Sequence, residues 1–142
     1  ETKKKLPTDI AICAAAVSDF KIANFYNKKI KKKDKMSLDF EKNIDILEYL
    51  SNHNSLRPKL VLGFAAETND LLKNAQEKIS TKHCDWIIAN DISKAGIGFG
   101  SDFNEITIVY KEKNKQNETI SRRSKSEIAE IITDKVVENF IS

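Results

Sequence analysis

Cysteine, histidine, glycine and tryptophan are all scarce in this chain, with two, two, four and one copies in 142 residues. Cys13 and Cys84 stand far apart, and neither joins a CxxC pair or a Cys/His ligand spacing, which argues against metal and redox roles and leaves both as buried thiols. His53 and His83 lack a paired cysteine or a Ser/Asp arrangement of recognised spacing, so both read as surface or loop residues. The few glycines form neither GxGxxG nor a P-loop. GIGFG at 96–100 follows no buried strand directly and opens no helix, which makes it a flexible turn. Long apolar runs are absent as well. None approaches the roughly 18 residues needed to cross a bilayer, and the lysine-rich start has no apolar signal-peptide core or cleavage site. A cytoplasmic protein without a membrane segment is expected. An excess of one charge is missing too, because 24 Lys and Arg nearly balance 21 Asp and Glu for a net +3. The chain is no polycation, and any electrostatic role must be local.

What is present points to an α/β domain. With 40% hydrophobic residues and no break in composition, residues 1–142 form one domain with a real core. Residues 9–17 are a continuous apolar run with small side chains, the pattern of a central parallel strand covered on both faces. Seven lysines then crowd into residues 21–35. The stretch 21–37 has no usable period and too many like charges to pack, which predicts a long mobile flap. Residues 36–40 read as a short edge strand. Ile46, Leu47 and Leu50 at helical spacing predict a short helix over 43–50. KLVLGFAA at 59–66 repeats the buried-strand pattern, and its Gly63 lets something approach the backbone closely. A helix over 70–82 comes next, with Thr68 or Asn69 as N-cap. DWIIA at 85–89 is the third buried strand, and NDIS at 90–93 is a polar exit turn. Two successive strand–helix–strand units imply parallel strands with right-handed crossovers. Ile106, Ile108 and Tyr110 then alternate with Thr107 and Val109 ahead of a polar turn, which adds an antiparallel hairpin completed at 118–121. Ser124 and Glu127 form a capping box before an amphipathic closing helix with Ile128, Ile131, Ile132, Val136 and Phe140. The expected fold is Rossmann-like: a three-layer parallel sheet with an added antiparallel hairpin and a C-terminal helix.

Open parallel sheets bind ligands at the carboxyl ends of their strands. The exits here carry Ser18–Asp19, residues 64–68 with Glu67, and Asn90–Asp91, although Asn, Asp and Ser also follow strands for purely local backbone reasons. On the helix over 70–82, at about 100° per residue, Lys78 and Lys82 fall on or beside the stripe marked by Leu71, Ala75 and Ile79. Two readings fit them: cations favoured near a helix C-terminus with stems that snorkel outward, or ammoniums that reach back over the sheet to a phosphate.

Five blocks carry a resemblance. AAAVSDFKIAN at 14–24, KIKK at 29–32, KNIDIL at 42–47, GFAAET at 63–68 and ANDIS at 89–93 resemble, in order and spacing, the signatures of phosphopantothenoylcysteine synthetase. This is the phosphopantothenate–cysteine ligase domain of the bacterial bifunctional coenzyme A biosynthesis flavoprotein. GFGSDFNEI near Gly98 continues the match, which covers nearly the whole chain.

The resemblance implies a CTP-dependent ligase that activates the carboxylate of 4′-phosphopantothenate as an acyl-cytidylate, releases pyrophosphate and joins cysteine through its amine. It implies Cys13, Ala14, Ala15 and Asp19 at the nucleotide, with Ile44, Asp45, Ile46, Leu47 and Phe64 lining its pocket. Lys78 and Lys82 contact it too, and Lys29 is the catalytic cation on the flap, stabilising charge on the reacting phosphate. Mg2+ bridges the triphosphate, with no metal site of the protein's own. A homodimer is implied, with the hairpin as a plausible pairing edge. The chain departs from the family pattern at Ser18, where alanine is usual, at Lys21, where arginine is usual, and at Ile44, where proline is usual. Lysine for arginine weakens any bidentate phosphate contact there. The family's first strand and glycine-rich loop would precede Glu1. The chain is therefore expected to hold the nucleotide side of the site and to be inactive until that segment, or the flavoprotein decarboxylase domain with it, is supplied. The alternatives are a catalytically incomplete nucleotide-binding fragment and a nucleic-acid binder using the lysines with Phe20, Phe25 and Tyr26. The balanced charge elsewhere and the lack of an RNA-binding motif weigh against the last, so no nucleic-acid or membrane partner is expected.

Overall fold

A computed structural model describes residues 1–24, 37–94, 96 and 100–141. The elements run β1 (Ile10–Cys13), β2 (Phe20–Ile22), β3 (Phe40–Lys42), α1 (Ile46–Ser51), β4 (Leu60–Glu67), α2 (Leu71–Lys82), β5 (Trp86–Asp91), β6 (Phe103–Tyr110), β7 (Glu118–Ser124) and α3 (Lys125–Ile141). Five strands form one sheet in the order β1-β4-β5-β6-β7. β1, β4 and β5 are parallel, and β6 and β7 are antiparallel additions, as the alternation in the sequence predicts.

The strands of this sheet carry apolar residues on both faces, and the helices cover them from two sides. On one face Val61, Ala65, Ile87 and Val109 pack with Leu50 of α1 and with Ala75 and Ile79 of α2. On the other, Leu62, Trp86, Ile88, Ile106 and Ile108 pack with Ile128, Ile132 and Val136 of α3, a run spaced by four. Each fully buried aliphatic side chain contributes about 1.5–3 kcal/mol. The capping box forms: Ser124 N and Oγ donate to Glu127 Oε2 at 3.0 and 2.7 Å, and Glu127 N donates to Ser124 Oγ at 3.2 Å.

Four expectations need correction. The first strand is shorter than 9–17, and it lies at an edge of the described sheet, paired only with β4, so Ile12 is 49% exposed. Small side chains are compatible with burial but do not impose it; residues 14–17 leave the sheet instead. Second, the stretch 21–37 is not loop throughout, because β2 pairs antiparallel with β3 in a separate ribbon, with Ile22 opposite Phe40. The edge strand expected at 36–40 therefore sits at Phe40–Lys42, and residues 25–36 lie outside those described. Third, neither Thr68 nor Asn69 caps α2. Asp70 does, in a left-handed conformation with φ 47° and no side-chain cap bond, while the Asn69 carbonyl accepts from Asn74 Nδ2. Fourth, Asn90 and Asp91 extend β5, paired with Ala66 and Glu67, so the exit turn begins after them.

One polar group locks this frame from below. Arg57 donates to the carbonyls of Ser51 and Pro58, both at 2.8 Å, and of His83 at 3.3 Å. It also meets both carboxylate oxygens of Asp85 at 2.9 and 3.0 Å, while Asp85 Oδ2 accepts from Val61 N at 2.8 Å. The end of α1, the residue that closes α2 and the start of β4 are thereby tied to one point.

Candidate functional site

The carboxyl end of β1 runs into Ala14, Ala15, Ala16 and Val17, too small to fill the space above the sheet. Ser18 and Asp19, next in the chain, are held in place by the base of the ribbon. Ser18 Oγ donates to the Phe20 carbonyl at 2.7 Å, Asn43 Nδ2 donates to the Ser18 carbonyl at 2.8 Å, and Asn43 N donates to the Asp19 carbonyl at 2.8 Å. The segment 14–19 is thus set against 43–47. Asp45 then starts α1, its Oδ1 accepting from Glu48 N at 2.9 Å. Gly63 supplies the close approach that its type predicts, and the approaching group is α1 itself. A Cβ at Gly63 would stand 2.5 Å from Leu47 Cδ2.

Between these walls lies a cavity of about 980 Å³. It is lined by Cys13, Ala14, Ala15 and Asp19 on the β1 side, by Ile44, Asp45, Ile46 and Leu47 at the start of α1, and by Phe64, Lys78 and Lys82 across from them. Every site residue named from the sequence faces this one space except Lys29, which lies outside the described residues. Phe64 is 38% exposed while Leu62 and Ala65 beside it are 0% and 2% exposed, so an aromatic surface is presented to the cavity. Glu67 and Asp91, at the ends of β4 and β5, do not line it. Glu67 is held by Lys78 Nζ at 2.8 Å and Asn74 Nδ2 at 3.0 Å, and Asp91 Oδ1 accepts from Ser93 N and Oγ at 2.9 and 2.6 Å. Asp91 closes a local turn.

Lys78 and Lys82 of α2 are engaged rather than free. Lys78 pairs with Glu67, and Lys82 Nζ sits 3.0 Å from both Asp45 Oδ2 and Glu48 Oε2. Hydrogen bonds that Lys82 donates to Glu48 and Asp45 raise its pKa. Burial opposes ionisation of Asp45, yet the Glu48 amide and the Lys82 ammonium hold its carboxyl below the usual range. Lysine and aspartate are therefore both charged at neutral pH. Burial, helped by the charge of Asp45, raises the Cys13 thiol, which stays protonated and unreactive.

Sequence reasoning missed several lining residues, including Lys5, Lys42 and Asn43. Lys42 and Asn43 open the KNIDIL block, so that block was the signal. Glu48 as a partner of Lys82 had no such signal, since 34 positions separate them. Of the four described lysines that line the cavity, Lys78 and Lys82 are held by carboxylates, while Lys5 and Lys42 have no acidic partner. Among the described residues no group of three or more His, Cys, Asp or Glu is placed to hold a metal ion. His53 Nδ1 accepts from Leu56 N at 3.1 Å and His83 closes α2 at φ 61°, both in connecting segments as expected. No helix among the described residues is long and apolar enough to cross a membrane.

Residues 1–140 match the family model described as the DNA/pantothenate metabolism flavoprotein C-terminal domain. The Coenzyme A biosynthesis bifunctional protein CoaBC of Bacillus subtilis (strain 168) is 39% identical over 110 residues, covering 77% of this chain and 27% of that protein. Its namesake in Borreliella burgdorferi is 38% identical over 127 residues, covering 87% and 30%. This chain thus spans about a third or less of the curated relatives' length. Among solved structures, the C-terminal domain of a CoaBC superposes with a TM-score of 0.68 at 26% identity, covering 93% of this chain and 57% of that one.

Proposed function

This chain belongs to the DNA/pantothenate metabolism flavoprotein C-terminal domain family, and from that premise we propose that it is the nucleotide side of a CTP-dependent phosphopantothenate–cysteine ligase in coenzyme A biosynthesis. The observation that carries this reading is the convergence of eleven named residues, from separate blocks of sequence, on one cavity above the carboxyl ends of β1 and β4. Its roughly 980 Å³ stands at the upper end of the usual range for small-molecule sites and gives room for a nucleotide and part of a second substrate.

In this reading the carboxylate of 4′-phosphopantothenate attacks the α-phosphorus of CTP. An acyl–phosphate bond forms and the bond to pyrophosphate breaks. The amine of cysteine then attacks the acyl carbon, loses a proton and displaces CMP. The protein's part is positioning and charge stabilisation. The small residues 14–17 let the nucleotide lie against the backbone, Phe64 and Leu47 cover its apolar surface, and Lys29 is the cation that stabilises charge on the reacting phosphate. Mg2+ enters with CTP as part of the substrate, chelated by the triphosphate. The remainder of the site comes from an N-terminal segment or the decarboxylase half of the full-length protein, and the chain pairs as a homodimer.

Calorimetric titration tests the reading. CTP should bind well ahead of ATP, and binding of a nonspecific oligonucleotide should be weak. Equal affinity for CTP and ATP, or tight and steeply salt-dependent oligonucleotide binding, overturns it. Cysteine-dependent pyrophosphate release on adding the N-terminal segment separates a ligase from a binding fragment without chemistry of its own.

A further inference from the structure

One wall of the cavity has almost nothing of its own to hold it. Residues 14–19 leave β1 without regular structure and are exposed, and residues 15–17 make no hydrogen bond to any described residue. The ribbon that follows adds little stiffness, because the short pairing of Phe20–Ile22 with Phe40–Lys42 makes a two-stranded unit that is marginal by itself. Left alone, such a segment samples many positions, and a ligand that binds it must order it first.

The opposite wall is anchored. Leu47 packs over Gly63 of β4, Asp45 caps α1 by accepting from the Glu48 amide at 2.9 Å, and half-buried Asn43 stands just before that cap. From there Asn43 reaches across the cavity's base with two donors. Its side-chain Nδ2 donates to the Ser18 carbonyl and its backbone N to the Asp19 carbonyl, each at 2.8 Å. Ser18 adds a local brace, its Oγ donating to the Phe20 carbonyl at 2.7 Å. One residue therefore carries the rigidity of the sheet, through α1, to a segment 25 positions earlier in the chain.

Resting on the ligase reading, we propose that Asn43 is a positioning residue, which sets the backbone of residues 14–19, and Asp19 with it, in the place the nucleotide requires before any nucleotide arrives. It acts through that backbone and touches no reacting atom. Preorganisation of this kind raises affinity by removing an ordering cost rather than by adding a contact. The side chain must be an amide, because aspartate would turn an acceptor toward the Ser18 carbonyl and alanine would reach nothing.

The test measures CTP affinity by calorimetry and backbone order parameters by NMR relaxation for the wild-type chain, Asn43→Ala and Ser18→Ala. Asn43→Ala keeps the backbone bond and removes the side-chain one, so CTP affinity should fall about three- to tenfold. Without nucleotide, the order parameters of residues 15–19 should fall from the rigid toward the flexible range in the same variant, with those of β4, β5 and α2 unchanged. Ser18→Ala, at an exposed position, should move both readouts the same way by a smaller factor, and it tests the same brace should Asn43→Ala fail to fold. A loss of affinity with unchanged order parameters makes Asn43 a direct ligand contact and overturns the proposal. Lower order parameters with affinity within about twofold of wild type overturn it as well, as do order parameters for residues 15–19 that are already low in the wild type. If the wild type binds CTP ahead of ATP and both variants match it, the proposal falls and the ligase reading stands, whereas a wild type that binds no nucleotide overturns both.

Discussion

Replacing Asp85 by alanine should destabilise the fold and disturb the cavity wall together. Asp85 and Arg57 retain only 22% and 28% side-chain exposure, so the pair is substantially withdrawn from water. Removal of the carboxylate strands the buried Val61 amide, which donates to it at 2.8 Å; an unsatisfied buried donor costs about 1–3 kcal/mol. Arg57 loses its ion pair as well, although its carbonyl partners persist and the residual exposure tempers the loss, so about 1 kcal/mol is added. A total near 3 kcal/mol corresponds to a melting point lower by about 10 °C for a chain of this size. Trp86 is the sole tryptophan and is 2% exposed, which makes its fluorescence a direct probe of urea or thermal unfolding. Asp85→Asn keeps an oxygen for Val61 and should cost about half as much. Because Arg57 ties Ser51 at the end of α1 to His83 at the end of α2, Asp85→Ala should also weaken CTP binding at temperatures where the chain is folded. A melting point within about 2 °C of wild type would refute the reasoning.

Two further predictions concern chemistry and pH. On the proposed ligase reading, Lys29→Ala should slow acyl-cytidylate formation about a hundredfold or more while leaving the melting temperature unchanged, the usual scale for loss of one charge-stabilising donor; a large drop in melting temperature with turnover intact would remove Lys29 from the proposed mechanism. Glu118 accepts from Lys135 and, at 2.6 Å, from the Tyr110 hydroxyl, and these bonds hold its carboxyl below 4.5. A lowered folded-state pKa means that this stabilisation is present above about pH 4.5 and is lost as pH falls through the folded value. Glu118→Gln should therefore flatten the acid limb of the melting profile, and an unchanged acid limb would show that the cluster does not couple to folding.

Much of the frame was legible because it rests on local periodicity. The buried runs at β4 and β5, the alternation in β6 and the capping box at Ser124 and Glu127 each follow from neighbours within a few positions. The misreadings arose where partners are distant. β2 became visible only through pairing with β3, since Phe20–Ile22 alone is too short to show a period. β1 was read as central because small apolar residues carry no signature of how many strands flank them. Asp70 caps α2 through backbone conformation, without the side-chain bond that makes a cap recognisable.

The sequence by itself determined the family and the identity of the residues at the cavity, because the blocks AAAVSDF, KNIDIL and GFAAET carry their own side-chain chemistry wherever they fold. Tertiary structure alone decided what those residues do to one another. Lys78 and Lys82 of α2 could have been solvated, snorkelled or phosphate-bound by helical geometry, and only the placement of α1 over Gly63 brings Asp45 and Glu48 to Lys82. Electrostatic sign at a site is a sum over neighbours in space, and a sequence orders neighbours only along the chain.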